Sequence, residues 1–429
     1  MWDSMARSDA FVEVQALPGN VREATEVAAN PAFLSLASSR RVLLLQGPLG
    51  PFYRRLSRWL SACGKDVCRI VLQGGDARDT PDINVTEFRG RLDEWLLFLV
   101  KFIEKENIDT LVLFGQAREY HAIALGIARF RNLKAVVLEE GYFRPGFVTM
   151  ELDGVNAYSR TLDRFRWKGS EPSPPSPLLA DCTPHHFRKM AFHAIVHYLN
   201  MWAARSRYKH YQHHREPSPW HYAAYWLRTW GRKVLRYHRD REISRRLIVG
   251  GTPYFLVPLQ NDGDSQITHH STYGENSKFI FEVTESFAGN APTDVSLVFR
   301  VHPFSRGGHA HRHLIASIAE EFGISERIVY LMEGPTPELA QHSRGVIVIN
   351  STVGLQVLER GAPLMAMGDA LYKRHGLTFS GPLDRFWSEA SPADPNVVSR
   401  FLDELKNLTQ MPASIYANSD EPLRWPVIS

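Results

Sequence analysis

Short apolar runs alternate with segments of helical periodicity through the first third of the chain. Residues 42–45 form an apolar run that ends at a Gly-Pro-rich turn, and apolar positions then recur at helical spacing over 52–60. A strand, a glycine turn and a helix in this order predict a βα unit. The same order predicts further strands over 67–72, 110–114 and 135–138 and helices over 92–103 and 119–130.

The second half of the chain repeats this alternation after a Pro-rich loop at 170–177 and two predicted helices, 187–211 and 221–246. Apolar patterning there predicts strands over 254–259, 295–301, 328–331, 345–350 and 363–367 and helices over 277–286, 309–322 and 353–360. Alternating strands and helices favour a parallel sheet in each half.

The sequence therefore predicts an α/β protein with two Rossmann-like domains that face each other across a cleft. Two large domains agree with a length of 429 residues. The predicted divisions are a mobile or loosely helical leader over 1–39, an N-terminal domain over 40–247, a C-terminal domain over 248–390, and a helix and tail over 391–429.

Composition excludes several classes of protein. Hydrophobic residues make up 44% and charged residues 22%, which excludes collagen-like, coiled-coil and largely disordered chains. Three cysteines favour a reducing compartment over a disulfide framework, and no zinc-type Cys/His cluster is visible. Because no apolar run reaches the ~20 residues of a membrane span and no signal peptide is evident, we expect a cytoplasmic protein, soluble or peripheral.

The charge is unevenly distributed. The chain carries a net charge of +4, whereas residues 205–246 alone contain 12 Lys/Arg and 3 Asp/Glu. The same stretch is rich in tryptophan and tyrosine. A basic, aromatic segment in an otherwise mildly acidic protein indicates an anionic partner or surface.

Two stripes run along the predicted helix in this segment. Trp226 and Trp230 lie on an aromatic stripe, and Arg228, Arg232 and Arg236 lie on a separate basic stripe. This pairing is typical of a helix at an anionic membrane surface. The alternative is a helix packed on the core with a solvated basic face. No recognised motif supports nucleic-acid binding.

Polar or glycine-rich residues follow six predicted strands, at the edge where open α/β sheets bind ligands. In the first half these are Gln46-Gly47-Pro48, Gly74-Gly75-Asp76 and Glu139-Glu140-Gly141. In the second half they are Gln260-Asn261-Asp262-Gly263-Asp264, His302-Pro303 and Asn350-Ser351-Thr352.

Two of the strand ends carry candidate acid–base groups. Burial and mutual repulsion would raise the pKa of Glu139 or Glu140, which suits a general acid or base. The alternative is a strand end with a helix-capping acid. His302, held by the turn at Pro303, can donate to a leaving phosphate or serve a structural role.

Two other strand ends offer binding groups. Ser351 and Thr352 precede a predicted helix, whose N-terminus can bind phosphate; the alternative is an ordinary N-cap. The acids and amides over 260–266 suit a site at the joint between the domains, or a polar turn.

Together these motifs resemble the KpsS/LipB family of capsular polysaccharide biosynthesis proteins, β-Kdo glycosyltransferases related to the KpsC family. The resemblance covers roughly residues 41–390. It is carried by the segments 43–52, 74–76, 139–145, 258–266, 300–303 and 350–354.

The resemblance implies a GT-B-like glycosyltransferase that moves Kdo from CMP-β-Kdo to phosphatidylglycerol or lyso-phosphatidylglycerol with retention of configuration. Such a reaction starts the poly-Kdo linker of a Gram-negative capsule at the inner face of the inner membrane. The implied partners are these substrates, the anionic membrane surface and other capsule assembly or ABC export components. No cofactor and no metal are expected, although Asp262-Gly263-Asp264 is formally an Asp-x-Asp pattern.

The same resemblance implies roles for individual residues. Asp264 in the Gln260-x-x-x-Asp264 pattern is the implied nucleophile, with Asp262 as its rival, and Glu140 or Glu139 is the implied acid/base. His302 would bind the departing phosphate. The other implied donor-binding residues are Gln260, Asn261, Arg300, Pro303, Asn350, Ser351 and Thr352, and the implied acceptor residues are Gln46, Gly47, Pro48, Asp76, Tyr142 and Arg144.

Two further hypotheses stay open. The protein could be an elongating transferase that acts on a Kdo-primed glycolipid. It could also be a non-catalytic adaptor in capsule assembly or export, although decayed motifs would then be expected and the strand-end motifs are intact.

Overall fold

A computed structural model describes residues 14–15, 30–79, 84–164, 180, 186–213, 219–261, 273–302 and 310–428. Its strands are β1 Val14–Gln15, β2 Arg41–Leu44, β3 Asp66–Val71, β4 Asn84–Glu87, β5 Thr110–Phe114, β6 Lys134–Glu140, β7 Phe147–Leu152, β8 Tyr254–Pro258, β9 Ser296–Arg300, β10 Ile328–Leu331, β11 Gly345–Val348, β12 Leu364–Ala366, β13 Gln410–Pro412 and β14 Val427–Ile428.

Helices follow most of these strands. They are α1 Pro31–Ala37, α2 Phe52–Ala62, α3 Gly74–Arg78, α4 Leu92–Lys105, α5 Glu119–Arg131, α6 His186–Ala203, α7 Pro219–Val249, α8 Asn276–Asn290, α9 Ala310–Glu321, α10 Thr336–Gln341, α11 Val353–Glu359, α12 Leu383–Glu389 and α13 Pro395–Thr409. Within the described ranges, we find no helix with the length and apolarity needed to cross a bilayer.

The chain forms two compact units. The first contains the described residues up to 164, residue 180, the segment 186–213 and the residues from 405 onward; the second contains 219–404. This division differs from the predicted one at two places. Helix α7 belongs to the second unit although it was predicted in the N-terminal domain, and the C-terminal tail belongs to the first.

The sheet of the first unit has the order β13-β7-β6-β5-β2-β3-β4. Strands β4, β3, β2, β5 and β6 are parallel, whereas β7 and β13 are antiparallel additions. The parallel strands follow the order 3-2-1-4-5 within their unit, which is the doubly wound Rossmann order. The α/β prediction is confirmed for this half.

Both faces of this sheet are covered. Helices α1 and α2 pack on one face together with the C-terminal tail, where the rings of Trp59 and Trp425 lie 5.3 Å apart. Helices α4 and α5 cover the other face. Arg55 ties the tail down by donating to the carbonyl oxygens of Ser414 and Glu421.

The last part of the predicted leader is helical. Helix α1 begins at Pro31, and the Asn30 side chain caps it by accepting from the backbone N–H groups of Ala32 and Phe33. Asn at the N-cap followed by Pro at the first turn favours a helix start. Phe33 and Leu36 are fully buried against the first sheet, so this segment is part of the core.

The second unit contains a fully parallel sheet in the order β10-β9-β8-β11-β12. This order is again 3-2-1-4-5, so the second Rossmann-like half is confirmed. Helix α7 is fixed to this unit by its buried Asp240, whose Oδ2 accepts from the backbone N–H groups of Met332 (2.8 Å) and Glu333 (3.0 Å).

Candidate functional site

A cavity of about 410 Å³ lies at the carboxyl ends of the strands of the second unit. Pro258 ends β8 and Arg300 ends β9, and both line it. The strand order reverses between β8 and β11, which is the point where open α/β sheets bind their ligands. The predicted donor residues Arg300, His302 and Ser351 are brought together here.

Arg300 gives the cavity a buried cation. Its guanidinium donates to the carbonyl oxygens of Val301 and Gly334, which holds the group at the cavity wall. His302 lies two residues further on and is half-buried. A guanidinium, an imidazole and a hydroxyl around one space can donate several hydrogen bonds to a phosphate or carboxylate.

Ser351 contributes its hydroxyl from the turn before α11. The Ser351 Oγ accepts from the backbone N–H of Val353 at 3.3 Å, and a hydroxyl that accepts in this way can still donate its proton. Thr352 occupies the N-cap of α11 without a side-chain cap bond. Because α11 has only 7 residues, we assign the site to the cavity-lining side chains rather than to the helix terminus.

A glycine makes this turn possible. A Cβ at Gly354 would lie 2.3 Å from the ring of Tyr372, whose hydroxyl donates to the carbonyl oxygen of Ser351. The Ser-Thr-Val-Gly run therefore fixes the position of Ser351 through a close approach that only glycine allows.

Gln260 and Asn350 are hydrogen-bonded to each other. The Gln260 Nε2 donates to Asn350 Oδ1 at 3.1 Å, and the Asn350 backbone N–H donates to Gln260 Oε1 at 3.3 Å. Both residues are buried. This reciprocal pair joins the ends of β8 and β11, so the two residues support the site rather than line the cavity.

The cavity also contains residues that the sequence analysis missed. The segment from Gly334 to Pro337, before and at the start of α10, forms part of the wall together with Gln356 of α11. The Gly-Pro-Thr-Pro run after strand β10 was the available sequence signal, because such a run marks a fixed turn at a strand end.

Three predicted residues cannot be placed. Asp264, its rival Asp262 and Pro303 lie outside the described residues, and Asn261 is half-buried at the end of the described segment. Among the residues that the structure does describe, no group of three or more His, Cys, Asp or Glu side chains is arranged to hold a metal ion.

In the first unit, Gln46 and Asp76 form a buried network. Gln46 Nε2 donates to Asp76 Oδ2 at 2.9 Å, and Gln73 Nε2 donates to Asp76 Oδ1 at 3.1 Å and lies 2.9 Å from His197 Nε2. Burial raises the pKa of Asp76 and lowers that of His197 to about 4. The predicted acceptor contacts Gln46 and Asp76 are thus buried and bonded to each other.

The neighbouring glycines serve packing. A Cβ at Gly74 would lie 2.4 Å from the carbonyl oxygen of Asn200 on α6, so this glycine allows α3 and α6 to meet. Gly47 is buried and its carbonyl oxygen accepts from Arg118, whereas Pro48 is partly exposed.

The predicted acid pair is separated by strand geometry. Glu139 and Glu140 both belong to β6, and adjacent residues of a strand face opposite sides of the sheet. Glu140 pairs with Arg144 at 2.7 Å and accepts from the Tyr416 hydroxyl at 3.4 Å. Glu139 accepts from Asn156 Nδ2 at 2.8 Å. The two carboxylates therefore have different partners, and the acid–base role of either one stays a prediction.

A third acid, Glu151, is the strongly perturbed one. It lies on β7 and is buried, where it accepts from the hydroxyls of Tyr142 (2.8 Å) and Ser159. Burial raises its pKa to about 7. The Tyr142 hydroxyl also accepts from the backbone N–H of Asn156, so Tyr142, predicted as an acceptor contact, is fixed inside this network. An acid within an apolar strand was the signal that the sequence analysis missed.

Glu151→Gln should make stability less dependent on pH. The folded protein keeps a proton on Glu151 that the unfolded chain releases near its ordinary pKa of 4.5. The contribution of Glu151 to the free energy of unfolding is therefore full below pH 4.5 and is lost as the pH rises through about 7. Between about pH 5 and pH 8, the free energy of unfolding of the variant should rise relative to wild type by about 2.5 kcal/mol.

Urea unfolding at a series of pH values measures this difference. Glu119→Gln, which removes an exposed carboxylate from the same unit, serves as the matched control and should show a much smaller change. A difference between Glu151→Gln and wild type that stays constant over this range would contradict the assignment.

The basic stripe of α7 is divided by packing. Arg228 is exposed, but Arg232 and Arg236 are half-buried near Tyr330, and Arg236 shares a helix face with the buried Thr229 and Asp240. The membrane-facing role of Arg228, Arg232 and Arg236 stays a prediction. The side chains of Trp226 and Trp230 lie outside the described part.

Comparison with known proteins places the chain in a family. Residues 109–416 match the family described as Capsule polysaccharide biosynthesis protein. The chain is 36% identical over 392 residues to the Capsule polysaccharide export protein KpsS of Escherichia coli, covering 90% of this chain and 99% of that protein. It is 33% identical over 394 residues to the Capsule polysaccharide modification protein LipB of Neisseria meningitidis serogroup A, covering 89% and 93%.

Among solved structures, the fold is similar to that of Thermosulfurimonas dismutans KpsC, described as a beta Kdo 2,7 transferase. The TM-score is 0.40 with 13% sequence identity, and the match covers 84% of this chain and 89% of that one. From the family match and the two curated relatives, the chain belongs to the capsule polysaccharide biosynthesis protein family.

Proposed function

We propose that this protein is a retaining glycosyltransferase that moves Kdo from CMP-β-Kdo to phosphatidylglycerol or lyso-phosphatidylglycerol. The observation that carries the proposal is the cavity in which Arg300, His302 and Ser351 converge at the reversal point of a Rossmann-ordered sheet. The membership of the capsule biosynthesis family supports a sugar as the transferred group.

The chemistry of the cavity suits a nucleoside monophosphate ester of an acidic sugar. The Arg300 guanidinium offers charge and paired donors to the phosphate, and His302 can donate to the phosphate as it leaves. Pro258, Leu259 and Pro335 supply an apolar wall for a base or ribose. A volume of about 410 Å³ is within the range of small-ligand pockets.

We assign the acceptor chemistry to Glu140. It ends β6, its side chain is 38% exposed and pairs with Arg144, and an accessible carboxylate at a strand end can accept a proton from a bound hydroxyl. Glu139 is instead tied to Asn156 beside the buried Glu151 network.

Retention by double displacement also requires a carboxylate nucleophile. The Gln260-x-x-x-Asp264 pattern provides Asp264 as the proposed nucleophile, with Asp262 as the alternative. The reaction proposed here uses no cofactor and no metal, and it takes place with the protein peripheral on the inner face of the inner membrane.

The test is a transfer assay with CMP-Kdo generated in place and a fluorescent lyso-phosphatidylglycerol, read as product mass. A gain of one Kdo is expected, with CMP-N-acetylneuraminate as the control donor that should give no product. Extension of a Kdo-primed glycolipid alone would identify an elongating enzyme instead. The absence of transfer to both acceptors would overturn the proposal in favour of an adaptor in capsule assembly or export.

A further inference from the structure

Helix α6 presents polar side chains to the protein and apolar side chains to solvent. Its His197 is buried and lies 2.9 Å from Gln73 Nε2, and His186 and His193 lie against the ring of Tyr416. Met190 of α6 packs on the core, but most of the large apolar residues of the helix face outward, whereas the apolar face of an ordinary surface helix packs on the core.

Four large apolar residues occupy the outer face. The exposed fractions are 59% for Phe192, 62% for Ile195, 57% for Leu199 and 45% for Trp202. We call these four residues the apolar stripe. Their spacings of 3, 4 and 3 place them on one line about 15 Å long along the helix. Single exposed apolar residues are common, but a continuous row of four indicates a contact surface.

The charged residues of the segment that carries the apolar stripe have one sign. Residues 186–213 contain five Lys/Arg and no Asp or Glu. Exposed arginines lie at both ends of the helix, Arg188 before the stripe and Arg205 after it. The Arg205 guanidinium lies 4.5 Å from the ring centroid of Trp202. One basic group, Arg207, is already paired with Glu87.

We propose that the apolar stripe docks this protein on an anionic lipid bilayer, with α6 lying in the plane of the interface. Apolar side chains with Trp at one end, flanked by arginine and lacking acids, match the chemistry of an interfacial helix on anionic lipid. The inference deepens the proposed function and rests on it, since a lipid acceptor requires approach to a bilayer. It moves the membrane contact from the arginines of α7 to α6.

The test is flotation of the full-length protein with vesicles of phosphatidylglycerol and phosphatidylcholine in equal parts, in the absence of donor. We expect wild type to float. The double variant Ile195→Gln/Leu199→Gln should partition at least about tenfold less, since each side chain loses part of its transfer free energy.

The matched control is Leu96→Gln/Leu97→Gln on α4. These leucines are 54% and 57% exposed in the same unit, so the two double variants remove similar exposed apolar groups. The control should float as wild type does. Binding of wild type should also fall on phosphatidylcholine vesicles and at high salt, because the basic flanks then lose their partner.

Three outcomes would overturn the inference. The first is that the stripe variant floats as wild type does, and the second is that the control loses binding equally. The third is that wild type fails to float, while sedimentation shows a dimer that the stripe variant abolishes. Flotation involves no turnover, so the flotation result can be interpreted even if the transfer assay fails. Conversely, the stripe variant should keep transfer to a short-chain monomeric lysolipid, which separates failure of docking from failure of the proposed function.

Discussion

Glu140→Gln is expected to slow sugar transfer by about 10²- to 10⁴-fold, the usual contribution of a general base. Glutamine keeps the shape of the side chain and can still accept from the Tyr416 hydroxyl, but it cannot take a proton from the acceptor. The loss should fall mainly on kcat, because the amide leaves the donor cavity unchanged.

The adjacent Glu139→Gln is the matched control. It makes the same chemical change one residue earlier on β6, on the opposite face of the sheet. We expect a far smaller effect on kcat from it. Steady-state rates at saturating donor decide the question: a large loss in Glu139→Gln with a near-normal Glu140→Gln would transfer the role to Glu139.

The fold was largely predictable because its parallel strands are buried on both faces. Such strands read as continuous apolar runs, as in the segments 42–45 and 110–114, and helices of clear periodicity separate them. Strand β4 was missed because it is a half-exposed edge strand with one apolar residue in four positions. Strand β13 was missed because three residues carry no periodicity and its partner β7 is more than two hundred residues away.

Local chemistry identified the strand ends but not their roles. The pairs Gln46–Asp76 and Gln260–Asn350 consist of residue types that suit a ligand, yet each pair is buried and hydrogen-bonded internally. The same side chains can form a buried hydrogen-bonded pair or bind a ligand. Burial distinguishes the two roles, and burial cannot be read from the sequence.

Helix orientation was the second feature that could not be predicted from the sequence. Periodicity shows which residues share a face, and it correctly grouped Arg232 with Arg236 on α7. It cannot show which face the rest of the protein covers. The long-range bonds of Asp240 turn that side of α7 toward the second unit, while the polar contacts of α6 turn its apolar stripe outward.

Arg300→Gln is expected to lower kcat/KM for the sugar nucleotide by about 10²- to 10³-fold, the usual loss when a group that stabilises developing charge is removed. The substitution takes the buried positive charge and the planar set of donors out of the cavity. Affinity for CMP, the product of the proposed reaction, should fall in parallel when measured by calorimetry, because in that proposal the same phosphate contacts would hold product and donor.

Arg327→Gln separates this effect from a loss of stability. Arg327 is a partly buried arginine in the same unit that donates to the carbonyl oxygens of Val295 and Pro292 and lies over Phe287, and it does not line the cavity. Both variants lose guanidinium–carbonyl bonds, so both should unfold at lower urea concentration, but Arg327→Gln should bind CMP as wild type does. Equal loss of CMP affinity in both variants would assign Arg300 to folding alone, and the donor site would then have to lie elsewhere than at this cavity.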